Sequence, residues 1–180
     1  MQAHPQEPAG GPPELSHLGP PDPSGRRGAR MVDVGDKPVT RRTALARAFV
    51  VFPPGLLPRL LAGEGAKGPL VEVARLAGVL GAKRTGELIP LCHPLGLDHV
   101  DVTVAPAGED TLEVRCEART EGRTGVEMEA MTGASIAALT LYDMTKAASK
   151  GIRIERVELL EKTGGRSGTW RAAGHAGPEG

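Results

Sequence analysis

The sequence predicts an α+β domain in which helices pack on one face of an antiparallel sheet. Three observations carry this. Apolar residues alternate at period two in several stretches, and they recur at helical spacing in others. The two kinds of stretch also interleave along the chain, so one sheet is covered by the helices that connect its strands.

Arg41–Phe52 (RRTALARAFVVF) reads as the first strand, with Leu45, Phe49 and Val51 on one parity. A short helix is expected over Leu56–Ala62. Pro69 then stands where a second helix begins, and Leu70, Val73, Ala77 and Leu80 recur at its spacing. Pro90 and Pro94 prevent its continuation, because each lacks an N–H and fixes its own φ. Val100, Val102 and Val104 alternate in the next strand, AGED turns, and Leu112, Val114 and Cys116 return as its hairpin partner. An alanine-rich helix is expected from Met131 to Ser149, closed by Gly151, with Ala137, Leu141, Met144 and Ala148 as its tightest stripe. Ile152–Leu160 (IRIERVELL) reads as the last strand. The order βα(α)ββαβ fits a ferredoxin-like βαββαβ sandwich. Such a sheet has a second face to bury, and self-association is one way to bury it.

Composition limits the function. The chain has 180 residues, with 22 Lys+Arg against 22 Asp+Glu, so an anion site must be built locally rather than by net charge. Aromatics are 2%, which argues against base stacking on an RNA-binding sheet. Cys92 and Cys116 make no disulfide framework, and no leader or long apolar span is evident; a cytoplasmic protein is expected. Residues 1–30 hold seven of the 16 prolines and little hydrophobic periodicity, and read as a disordered Pro/Gly-rich tail. Residues 31–170 form the domain, and 171–180 a flexible C-terminal tail.

Several polar groups stand out against this background. In TGVEMEAMTG, Glu127 and Glu129 are two apart, which in an extended segment puts both carboxylates on one side. That fits either a solvated strand edge or a pair that holds a guanine-like ring edge or moves protons. YDMTK sets Asp143 and Lys146 at i, i+3, the spacing of a surface ion pair, but in a run with no other charge. Lys67 precedes the helix opened by Pro69, where a bound anion would offset its unfavourable placement at a positive helix end. KTGGRSG, residues 162–168, combines Lys162 and Arg166 with three glycines whose amides can approach an anion closely. LIPLCHPL, residues 88–95, fixes His93 between two prolines in an apolar strap. Cys92 beside it lacks a CxxC or HExxH context, and reads as a small hydrophobe rather than a zinc ligand.

The segments MVDVGDKPVTRRTA, AKRTGELIPLCHPL, TGVEMEAMTGASIAALTLYDMTKA and EKTGGRSG, in this order from Met31 to Gly168, together resemble the cyclic pyranopterin monophosphate synthase family of molybdenum cofactor biosynthesis. The resemblance implies a ferredoxin-like fold assembled as a hexamer, a trimer of dimers with sites at subunit interfaces. It implies a lyase that converts (8S)-3′,8-cyclo-7,8-dihydroguanosine 5′-triphosphate to cyclic pyranopterin monophosphate and releases diphosphate. Asp143 then matches the active-site acid, and Lys67 and Lys146 are further candidates for proton transfer. Leu91, Cys92, His93, Met128 and Glu129 match the substrate-binding segments. Glu127, Lys162 and Arg42 match other residues that the family places at its site. No dedicated cofactor is expected, although Mg2+ could enter with the triphosphate, and neither nucleic acid nor membrane is an expected partner. Gly86, Gly96 and Thr145 depart from the family's usual residues, and none of them replaces a polar site residue.

Overall fold

In the computed structural model, residues 18–63 and 68–176 are described. Strands β1 (Leu18–Pro21) and β2 (Arg27–Ala29) pair as a hairpin inside the stretch whose composition suggests a tail. Asp22 makes its turn, accepting from the Ser24 and Arg26 amides at 2.8 and 2.9 Å. The domain then runs β3 (Thr40–Val51), α1 (Leu56–Leu61), α2 (Leu70–Lys83), α3 (Thr85–Leu88), β4 (His99–Gly108), β5 (Thr111–Gly122), α4 (Glu127–Thr145), β6 (Arg153–Thr163) and β7 (Trp170–Arg171). The sheet order is β4-β5-β3-β6-β7, with every neighbouring pair antiparallel. The fold is therefore α+β, as the alternation of periods predicts. β7 pairs with β6 through Glu161↔Arg171 and Lys162↔Trp170, so ordered pairing runs past residue 170. No helix among the described residues is long and apolar enough to cross a membrane.

The sheet's core face differs in parity from the sequence expectation. On β3, Ala44, Ala46, Ala48 and Val50 are buried, whereas Leu45, Phe49 and Val51 are half-buried on the opposite face. The physical reason is closeness of approach. α4 lies across β3, β5 and β6 and meets them with Ala130, Ala134, Ala137, Ala138 and Leu141, all fully buried. Small side chains on both surfaces bring helix and sheet together, and dense packing compensates for their modest individual area.

The same rule governs α2 against α4. The buried stripe of α2 is Leu70, Ala74, Gly78, Gly81 and Ala82, not the expected Leu70–Val73–Ala77–Leu80; Val73, Leu76 and Leu80 are exposed. At Gly133 a Cβ would fall onto the Cys116 sulfur, and at Gly78 it would come within 3.0 Å of the Gly133 carbonyl oxygen. Glycine lets the two helix backbones nearly touch there.

α4 starts four residues before the expected Met131 and ends at Thr145 rather than Ser149. Ala148 therefore lies beyond the helix and is exposed. The polar GVEME segment imitates a strand edge in composition. In the fold, Glu127 and Glu129 sit in the first helical turn, where carboxylates favour the unpaired amides.

The open face of the sheet is charged and internally paired. Arg47 Nε bonds Glu158 at 2.8 Å and Arg115 Nε bonds Glu113 at 3.0 Å. The Arg47 and Arg156 guanidinium groups lie 5.2 and 4.8 Å from the Phe49 ring centre. Arg156 takes a left-handed φ of 48° where the β3–β6 register slips between Arg47 and Phe49.

Candidate functional site

Two adjoining hollows lie at the N-terminal end of α4. The first, about 500 Å3, is walled by Val32, Val34, Leu91, Cys92, His93, Leu95, Met128 and Glu129. The second, about 680 Å3, is walled by Pro38, Thr40, Arg42, Arg123, Gly165, Arg166 and Ser167. Lys37, Thr124, Gly125, Glu127 and Lys162 line both. One half is thus apolar with a carboxyl group, and the other is cationic.

Each wall has a local cause. Residues 89–97 form the strap between α3 and β4. The Cys92 amide donates to the Ile89 carbonyl at 3.0 Å, and Thr120 Oγ1 donates to the Gly96 carbonyl at 2.6 Å. Gly86 on α3 is packed so closely under Pro94 that a Cβ there would come within 3.0 Å of the Pro94 Cα. The two prolines stiffen the strap, and these contacts clamp it, so His93 and Cys92 are held against the start of α4.

The cationic half is built around the β6–β7 loop. Gly164 and Gly165 have φ of 93° and 72°, left-handed values that suit glycine. A Cβ at Gly165 would run into the Arg42 guanidinium, and one at Gly164 into the Arg41 carbonyl oxygen. The loop therefore folds directly over Arg42. Arg42 Nη2 donates to the Arg123 carbonyl at 3.4 Å, while its buried Nε and the buried Thr40 hydroxyl have no hydrogen-bond partner. Unpartnered buried groups beside a hollow are suited to a polar ligand. Between the halves, Lys162 Nζ donates to Glu127 Oε1 at 2.7 Å, with both side chains about one-third exposed or less.

Correcting the helix start changes the glutamates. Two residues apart on a helix they diverge: Glu127 reaches Lys162, whereas Glu129 is buried at 4% exposure. Burial pushes the Glu129 carboxyl up to about 7, against its own backbone N–H and with a smaller push from the charge of Glu127. Cys92 is raised from the usual thiol range by burial and then by Glu129, which disfavours a thiolate there. Cys116, in the sheet core, is pushed up to about 12, mainly by burial. Among the described residues no group of three or more His, Cys, Asp or Glu is gathered to hold a metal ion.

Asp143 and Lys146 are placed elsewhere. They pair at 2.5 Å, with side chains roughly half exposed, at the far end of α4. The Asp143 hydrogen bond and charge raise the Lys146 pKa. Sixteen residues separate Asp143 from Glu127, about 24 Å along the helix axis, so one copy of the chain does not bring this pair to the hollows. Lys67 lies outside the described residues.

A profile of the MoaC family matches residues 31–165. The chain is 54% identical over 159 residues to a cyclic pyranopterin monophosphate synthase from Thermomicrobium roseum, covering 88% of this chain and 93% of that protein. It is 53% identical over 146 residues to cyclic pyranopterin monophosphate synthase 1 from Mycobacterium tuberculosis, covering 81% and 86%. The Chloroflexus aurantiacus protein of that name is 52% identical over 159 residues, covering 88% and 94%. The chain belongs to the MoaC family.

Within this MoaC-family chain, seven of the residues singled out from sequence line the first hollow: Leu91, Cys92, His93, Glu127, Met128, Glu129 and Lys162. Arg42 and Arg166 line the second. Sequence reasoning missed Lys37, Thr40, Arg123 and Thr124. The turn-forming DVGDKP was the available signal for Lys37, and the Thr124–Gly125 break before a helix the signal for Thr124.

Proposed function

We propose that this chain is a cyclic pyranopterin monophosphate synthase of molybdenum cofactor biosynthesis. It converts (8S)-3′,8-cyclo-7,8-dihydroguanosine 5′-triphosphate to cyclic pyranopterin monophosphate and releases diphosphate, a phosphorus–oxygen lyase reaction. The observation that carries the reading is the divided cleft: an apolar, carboxylate-bearing half and a cationic half share one wall. A purine-derived ring with a triphosphate has that same division of chemistry.

The ring system enters between the strap and the first turn of α4. His93, held by its prolines, and Leu91, Cys92 and Met128 contact it. Glu127 and Glu129 meet its guanine-derived N–H edge; Glu129, with a pKa near neutrality, can also exchange a proton. The phosphates lie among Arg42, Lys162 and the glycine loop, which neutralise the charge that develops on the departing diphosphate. A Mg2+ ion would arrive on the phosphates.

The strand order β4-β5-β3-β6 around the βαββαβ core supports the ferredoxin-like arrangement. The exposed Val73, Leu76, Leu80 and Leu139 supply apolar surface for self-association, and we infer a hexamer arranged as a trimer of dimers. In it, Asp143 and Lys146 from a second copy, with Lys67, complete the cleft and carry the proton transfers of ring opening and rebuilding. The reading also makes this a cytoplasmic enzyme with no nucleic-acid or membrane partner.

The deciding experiment incubates purified protein with the cyclic dihydro-GTP intermediate. Diphosphate release and pterin fluorescence after oxidation are expected. Asp143→Asn and Lys67→Ala should lack both while eluting as the same oligomer. Unchanged substrate with folded wild-type protein would reject the proposal.

A further inference from the structure

The glycine loop over Arg42 is held at its far end by a group outside the cleft. Gly164, Gly165 and Gly168 all take left-handed φ values. A segment so rich in glycine has much freedom to lose, so it keeps one shape only when both ends are fixed. β6 fixes the near end through its pairing with β3. The far end has only β7, a strand of two residues at the edge of the sheet. Apolar burial does not hold β7 down, since Trp170 is 45% exposed. Within the loop the Gly168 amide donates to the Gly165 carbonyl at 3.2 Å, which shapes the turn without tying it to the sheet.

The tie is Glu161. It stands opposite Arg171 in the β6–β7 register, and the guanidinium grips its carboxylate as a fork, Nε to Oε2 at 3.0 Å and Nη2 to Oε1 at 3.4 Å. His175 closes on the same group, with its buried Nε2 3.7 Å from Oε2 and both side chains 14% exposed. A carboxylate so little exposed makes the fork firmer than an ordinary surface pair. The Ala172 amide donates to the Leu160 carbonyl at 2.8 Å and carries the pairing one residue past β7. Arg171 and His175 lie beyond the residues that the MoaC profile matches. Successive residues on a strand face opposite ways, so Lys162 turns into the cleft to meet Glu127 while Glu161 turns out.

Resting on the synthase reading, in which the phosphates lie against this loop, we propose that Glu161 is a positioning residue for the cationic half. Through Arg171 and His175 it fastens the chain after the loop to β6, and so keeps residues 164–167 closed over Arg42. It touches no substrate atom. Without it the loop opens for part of the time, and each binding event must close it again. That cost falls on binding and not on the bond-breaking step, because a filled cleft holds the loop shut.

Wild type, Glu161→Ala, Arg171→Ala and the exchanged pair Glu161→Arg with Arg171→Glu are to be compared in three ways. These are the rate of tryptic cleavage after Arg166 in the native chain, the affinity for inorganic diphosphate by calorimetry, and steady-state KM and kcat. Arg171 is exposed, so Arg171→Ala should leave the melting temperature unchanged, and it decides the matter if Glu161→Ala disturbs folding. Both single variants are expected to be cut at least about fivefold faster, with diphosphate affinity and KM weakened about fivefold or more and kcat within about twofold. The exchanged pair should recover most of that loss. Cleavage and KM unchanged in Arg171→Ala, a loss confined to kcat, or an exchanged pair no better than the single variants would overturn the assignment and leave the synthase reading intact. Wild-type protein that leaves the substrate unchanged removes the synthase reading. Cleavage and diphosphate affinity then decide the clamp, which fails if neither moves.

Discussion

Glu127 and Glu129 show how two identical side chains two residues apart acquire different chemistry. Glu127 pairs with Lys162 at 2.7 Å, while Glu129 is buried and its pKa rises from 4.5 to about 7. The sign of the consequence is set by proton counts. Between those two values the folded state holds a proton that the unfolded chain has released, so stability falls as pH rises through the window and levels off above it. Glu129→Gln should abolish that decline and leave the protein more stable than wild type at pH 8, by on the order of 1–3 kcal/mol in urea unfolding. His93 is different, because its value lies in placement. The strap that holds it is clamped through Gly96 and Gly86, not through the imidazole. His93→Ala should therefore reduce turnover by roughly 10²-fold or more with an unchanged melting temperature. Near-wild-type turnover would remove His93 from the site.

At the scale of elements, the seam between α2, α4 and the sheet is the most constrained part of the fold. Gly133 faces the Cys116 sulfur so closely that even one methyl group has no room. Gly133→Ala is expected to cost about 1–3 kcal/mol, by overpacking. Cys116→Ala in the same chain should recover part of that loss, so a double-mutant cycle should give a coupling well away from zero. Additive effects would mean that the helix shifts freely, against the close packing described above. This seam also explains what the sequence concealed. Hydrophobic periodicity located β3, α2, the β4–β5 hairpin and β6, because alternation and helical spacing register which stretches are half-buried. It misassigned the inward faces of β3 and α2, because the core here is lined by alanine and glycine while larger apolar residues point outward. A size-weighted pattern follows the larger residues. The start of α4 was missed for a related reason, since the carboxylates that favour a helix N-terminus also resemble a solvated loop.

For the whole molecule, the issue is distance. One helix of 19 residues carries the cleft at one end and the Asp143–Lys146 pair at the other. Most of the cleft was legible in the sequence, because its parts sit in short, chemically dense segments such as LIPLCHPL, GVEME and KTGGRSG. The wall formed by Lys37 and Arg123 was not, since long-range strand register brings those segments together and local pattern does not encode it. If Asp143 serves the cleft of another copy, two inactive variants must complement. Co-refolded His93→Ala and Asp143→Asn chains should regain roughly a quarter of wild-type turnover, the share expected from random pairing of complementary copies. A mixture as inactive as its components would place Asp143 outside the shared site.

The unequal burial of the two thiols has a practical consequence. Cys116 is sealed beneath Gly133, whereas Cys92 opens on the cleft. An alkylating dye should thus mark the native chain at a single position and sense occupancy from inside the cavity, with no engineered handle. A nucleotide whose ring fills the apolar half should slow labelling at Cys92, which would let binding be followed in variants that have lost all turnover.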